Sequence, residues 1–153
     1  MLILFINKKD IVMKYKHILV ALDLSKESYI LIDRAVSIAE LINAKVSFIH
    51  VDGTHGEIYP ELVDIKSEPE RKPLNEPSNT WLTEFQQYTD FPIESFWVGT
   101  GDLSNKVSMV VAENGIELIV CGHHHDFLSN IISYSRPLIQ HSPIDILVVP
   151  LTS

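Results

Sequence analysis

The chain has 153 residues, 46% of them hydrophobic, with one cysteine and a formal net charge of -8; that is enough apolar material for one core of ordinary size and too little length for two domains. The acidic balance argues against nucleic acid or an anionic membrane surface as principal partner, because affinity for polyanions comes largely from lysine and arginine contacts to phosphate. The lone Cys121 excludes an internal disulfide, and its place in an apolar run suits a buried thiol in a reducing, cytoplasmic setting.

The chain opens on a short apolar run, Leu2–Ile6, without the basic lead or small-residue cleavage site of a secretory signal. That run is also far short of the roughly 20 apolar residues that cross a bilayer. Residues 1–13 therefore read as an N-terminal extension, with Met13 offering an alternative start, and residues 14–153 as a single domain. From there strand and helix patterns alternate. Apolar runs at Ile18–Leu22, Val46–Val51, Ile93–Val98, Leu118–Cys121 and Ile144–Val149 predict five strands, several apolar on both faces as buried parallel strands are. Leu31, Ala35, Ile38, Ala39 and Ile42 fall on one helical stripe, which Asp23 or Ser25 can cap. The stretch from Asp52 to Ser78 carries Pro60, Pro69, Pro73 and Pro77 and reads as a long connection. A helix over about Asn79–Thr89 follows, with Trp81, Leu82, Phe85 and Tyr88 spaced as a core-facing stripe rather than a base-stacking platform. Leu103, Val107, Val110 and Val111 predict another helix, capped by Asp102 and stopped by Asn114-Gly115. Pro137 belongs in the first turn of the last helix, with Ser135 or Arg136 as its cap. Alternating strands and helices imply an α/β fold with a parallel sheet.

In such a sheet ligands sit at the carboxyl ends of the strands, which directs attention to the segment Cys121-Gly122-His123-His124-His125-Asp126. Three consecutive histidines suggest metal, but neighbouring side chains on a strand point to opposite faces, and no second cluster at ligand spacing completes a set of four. No metal or cofactor is expected. Asp23 stands at a strand's carboxyl end, where it either serves a ligand or caps a helix. Gly99-Thr100-Gly101-Asp102 could shape a ligand cleft or simply make the turn and cap that follow. Neither a Gly-x-Ser-x-Gly elbow nor a phosphate loop ending in Gly-Lys-Ser/Thr occurs, so no catalytic residue is assigned and an enzyme is not expected.

Four segments, Lys16–Ser25, Ala44–Asp52, Val120–His124 and Asp145–Pro150, in this order and spacing, resemble the universal stress protein family, specifically its A type. The resemblance runs from about Lys14 to Leu151 and is weakest over Gly53–Ser78. It implies an open five-stranded parallel sheet of order 3-2-1-4-5 with helices on both faces, the adenine nucleotide alpha hydrolase-like arrangement. It also implies a homodimer in which Asp145–Leu151 pairs across a two-fold axis. Members of the family that bind ATP carry Gly, two residues, Gly, nine residues, then Gly followed by Ser or Thr. Here the frame reads Gly122, His125, Ser135 and Arg136, so only the first glycine is kept and the chain resembles the branch that does not bind ATP.

The resemblance therefore implies a non-enzymatic cytoplasmic stress-response protein acting through protein contacts, linked to growth arrest, oxidative stress or resistance to DNA damage. Phosphorylation on Ser or Thr is implied as well; the sequence does not single out the hydroxyl, and Ser129, Ser133 and Ser135 near the end of the fourth strand are the ones to inspect, because added charge is favourable at a helix N-terminus. A nucleotide sensor or weak phosphohydrolase is the alternative. Its ligand would be held by Asp23, Gly101, Gly122, His123, His125, Ser135 and Arg136, whereas His125 and Tyr134 crowding that space would favour the first reading. A metal-dependent switch through His123 and His125 is a third.

Overall fold

A computed structural model describes residues 15–53, 61–71, 73–124 and 136–151. The first strand, β1 (His17–Ala21), is followed by α1 (Ser28–Ile42) and β2 (Lys45–Asp52). Next come a two-residue strand β3 (Val63–Asp64), α2 (Glu76–Tyr88), β4 (Ile93–Thr100) and α3 (Leu103–Asn114), and then β5 (Leu118–His124), α4 (Arg136–His141) and β6 (Asp145–Leu151). The described strands form one six-stranded sheet of order β3-β4-β2-β1-β5-β6. Five are parallel, and without β3 their order is the expected 3-2-1-4-5. The sixth is a correction to the five-strand reading. Val63 and Asp64 of the proline-rich connection pair antiparallel with Val98 and Trp97, a match too short to leave any periodic signal.

Strand burial explains the topology. All five residues of β1 are buried, and their side chains alternate between two cores. Ile18, Val20 and Leu22 face Leu31, Ala35, Leu82 and Phe85 on one side, while Leu19 and Ala21 face Val107, Val110 and Leu138 on the other. Thus α1 and α2 cover one face, and α3 and α4 the other. Among the described residues no helix is long and apolar enough to cross a membrane.

The helix ends show where local sequence decides. Asp102 accepts from the Asn105 N–H at 2.9 Å, and Gly115 closes α3 at φ 64°, both as the sequence predicts. The same stripe that buries Leu103, Val107, Val110 and Val111 also buries Lys106, which is 3% exposed. In α1 the cap expected from Asp23 or Ser25 does not form at those positions. The helix begins at Ser28 with Glu27 at the N-cap and no side-chain cap bond, after a lead-in of Ser28, Tyr29 and Ile30 N–H bonds to the carbonyls three residues back. The second helix starts three residues earlier than predicted, because Asn75 caps the Ser78 N–H and Pro77 occupies the first turn. Its Leu82 and Phe85 are buried, but Tyr88 is exposed, donating from its hydroxyl to Asp33 at 2.8 Å and lying against the Tyr29 ring. Replacing Asp102 by Ala should lower the unfolding free energy by about 1 kcal/mol, measurable by urea denaturation, whereas Ser25→Ala should leave the α1 amides as protected from exchange as in the parent.

Candidate functional site

The sheet reverses its direction of growth at β1, which pairs with β2 on one edge and β5 on the other. The register Val20 opposite Val120 brings the residues just beyond, Leu22-Asp23 and Gly122-His123, to one rim at that switch point. Here the hydrogen bonds leave the ladder and recruit side chains. The Asp23 carboxylate accepts from the Ser25 hydroxyl at 2.5 Å, and the Ser28 hydroxyl lies 2.9 Å from the same oxygen and 2.7 Å from the Asp23 carbonyl. Ser28 itself is fully buried. Asp23 thus acts as the acceptor that binds the β1 end to the start of α1, even though it is not the helix cap.

His50, at the end of β2, belongs to this rim and was not singled out from sequence. It is 5% exposed, and its Nδ1–H donates to the Leu22 carbonyl at 2.7 Å; since a carbonyl only accepts, the proton sits on Nδ1 in the neutral ring. Burial pushes the imidazole below its ordinary value, opposed by the Leu22 carbonyl and by the charges of Asp52 and Asp23. The available signal was a histidine closing an otherwise apolar strand run.

Gly122 answers a packing demand. A Cβ at this position would meet the Leu151 Cδ1 at 2.4 Å and the Leu31 Cδ1 at 3.4 Å, so the missing side chain makes room for β6 and α1 to pack over β5. His123, next along the strand, is half-buried. Gly101 adopts φ 107° and donates its N–H to the Asp52 carbonyl at 3.0 Å. It therefore closes the ends of β4 and β2, with β2 and β1 lying between β4 and β5. Arg136 is exposed at the first position of α4, and the neighbouring Pro137 lies in the first turn as expected; its carbonyl accepts from the Ser104 hydroxyl at 3.1 Å. That contact sets Arg136 beside the first turn of α3, whereas Asp23 joins α1 on the other face of the sheet. His125, Asp126, Ser129, Ser133, Tyr134 and Ser135 lie outside the described residues. Among the described residues no cluster of three or more His, Cys, Asp or Glu could hold a metal ion. A cavity of about 590 Å³ opens on the flank, between residues 65–71 and α2, and shares no lining residue with the rim.

Overpacking at Gly122 is the direct test of its role. Gly122→Ala should cost about 1–3 kcal/mol of stability by overpacking, read as a lower denaturation midpoint. Leu151→Ala should recover part of that loss in the double variant, because the two side chains compete for the same space.

The universal stress protein family model matches residues 14–150 of this chain. Universal stress protein A of Yersinia pestis is 42% identical over 139 residues, covering 91% of this chain and 94% of its own length. The protein of the same name from Escherichia coli K12 is 42% identical over the same share of this chain and 96% of its own. Among solved structures, a universal stress protein in complex with cAMP superposes with a TM-score of 0.58 at 20% identity, covering 90% of this chain and 98% of that one; the likeness is one of fold.

Proposed function

Because the chain belongs to the universal stress protein family, we propose that it is a cytoplasmic, non-catalytic stress-response protein that works as a homodimer through protein contacts and does not bind ATP. The observation that carries this reading is the packing of Gly122: it is the one glycine kept from the ATP-binding frame, and the space beside it is filled by Leu151 and Leu31. A packing demand explains its presence without a phosphate. The other two glycine positions hold His125 and Ser135, so amides that must approach a triphosphate closely would carry side chains.

The dimer is supported by β6, an edge of the described sheet whose Ile146, Leu147 and Val148 are only half-buried. A groove of about 420 Å³ runs beside it, lined by Tyr15, Ile38, Leu118, Asp145, Ile146 and Leu147. An apolar edge of this kind gains by pairing with a second copy. Sedimentation equilibrium should give a dimer, and Ile146→Lys should shift it toward monomer at the same concentration. Regulation by phosphorylation on Ser129, Ser133 or Ser135, and a contribution to DNA-damage resistance, complete the proposal.

A nucleotide-sensing role is the second reading. It is favoured by Asp23 and its hydroxyl network at the switch point and by the cAMP complex of a protein sharing the fold. Calorimetric titration with ATP separates the two. The expected result is no heat of binding for the wild type and binding gained by the His125→Gly, Ser135→Gly double variant. Micromolar binding by the wild type would favour the sensor.

A further inference from the structure

The opposite rim, at the amino ends of the strands, is joined by a buried polar node. His17 is 9% exposed at the start of β1, on the α3 face of the sheet. Its Nε2 lies 2.7 Å from the hydroxyl of fully buried Ser47 on β2. The Ser47 oxygen also accepts the Ser95 N–H of β4 at 3.2 Å, and the Asn114 backbone at the end of α3 favours the charged ring. The imidazole and this hydroxyl thus tie three strands. Around it the rim closes through backbone bonds, Lys45 N–H to the Lys16 carbonyl at 2.9 Å and Glu117 N–H to the His17 carbonyl at 3.1 Å. The Glu117 carboxylate accepts the Lys16 N–H at 2.7 Å.

Donor and acceptor counting sets the protonation state this node tolerates. The buried Ser47 hydroxyl accepts from Ser95 and must place its own proton, and Nε2 at 2.7 Å is the acceptor within reach, so Nε2 accepts and the neutral ring carries its proton on Nδ1. Ser95 then donates to Ser47, and Ser47 to His17. A second proton, on Nε2, would turn that nitrogen into a donor aimed at an oxygen already receiving the Ser95 N–H. The Ser47 hydroxyl proton would lose its acceptor in a buried site, where an unmade hydrogen bond is costly.

We propose that His17 is an acid-sensitive latch: neutral, it holds β1, β2 and β4 together, and protonated it releases the amino rim of the sheet. The surrounding charges are balanced. Glu94 on β4 favours the charged ring and Lys45 on β2 opposes it, and these two sit 4.0 Å apart as an exposed pair. Lys16 and Glu117 flank the node on β1 and on the lead into β5, and Glu113 lies in the last turn of α3. Burial, the largest influence, pushes the ring below its ordinary value of 6.5, against the Asn114 backbone and Glu94. The sign follows: the native ring binds fewer protons than the unfolded one, so stability is fully present above the unfolded value and is lost as pH falls below it. This device is independent of nucleotide binding and of dimer formation.

Amide hydrogen exchange from pH 7.5 to 5, corrected for intrinsic chemistry, tests it on the whole chain. Protection at Lys45 and Ser95 should fall by up to about tenfold per pH unit below 6.5 in the wild type. In His17→Gln, a neutral amide able to donate and accept, it should stay flat. In His50→Gln the fall at Lys45 and Ser95 should persist, since that histidine serves the other rim. An equal fall in His17→Gln would overturn the latch. If that variant does not fold, ring NMR of the wild type decides: a His17 value below 6.5 with Nδ1 protonated supports the proposal, and a value at or above 6.5, or a proton on Nε2, refutes it.

Discussion

Everything in this fold hangs on β1 being buried on both faces and paired on both edges. A strand with all five residues buried has no water for its N–H and C=O groups, so both edges must carry a ladder; β2 and β5 supply them. Both faces must also carry a helical layer, which α1 and α2 provide on one side and α3 and α4 on the other. The switch in strand order at β1 follows from the same demand, and with it the rim where the carboxyl ends of β1 and β5 meet. The location of the candidate site is therefore a by-product of satisfying the most deeply buried strand.

The two ends of that strand are closed by the same chemistry. Where the ladder stops, backbone groups need other partners, and histidines from within the sheet join the two rims: His17 with Ser47 at the amino end, His50 with the Leu22 carbonyl at the carboxyl end. Burial pushes both rings below their ordinary value. For a charged ring in either place desolvation outweighs the attraction of the nearby carboxylates, Asp52 and Asp23 for His50 and Glu94 for His17, whereas a neutral imidazole offers one donor and one acceptor. The carboxyl rim adds the Asp23 carboxylate, which gathers the Ser25 and Ser28 hydroxyls, and this acidic rim differs from the phosphate cradle that backbone amides and glycines make.

Much of the architecture was legible in the residues. The apolar runs placed the five parallel strands, because doubly buried strands must be apolar throughout, and Asp102 with Asn114-Gly115 bracketed α3, because caps act within a few residues of chain. The local rules were less informative where two segments compete. Asp23 and Ser25 had cap chemistry, but Asp23 turned to hydroxyls instead, and the helix began later. β3 was invisible because two residues pairing across a long connection have no period. Tyr88 looked like a core position, yet α2 ends at that turn, leaving the ring over Tyr29 with its hydroxyl on Asp33. Lys106 sat on the buried stripe by spacing alone, and charge concealed the fact.

The sequence by itself determined the alternation of strand and helix and the family to which the chain belongs, and that resemblance in turn implied the order of the main strands. Those properties are written in hydrophobic period, turn chemistry and motif spacing, all carried by residues near one another along the chain. Only the tertiary structure decided what Gly122 is for and which histidines matter. Gly122 is required because Leu151 and Leu31, distant in sequence, occupy the space of its absent side chain, and His17 and His50 gain their roles from partners 30 and 28 residues away. A residue's neighbours across the sheet are set by the packing of the whole, and no local pattern contains them.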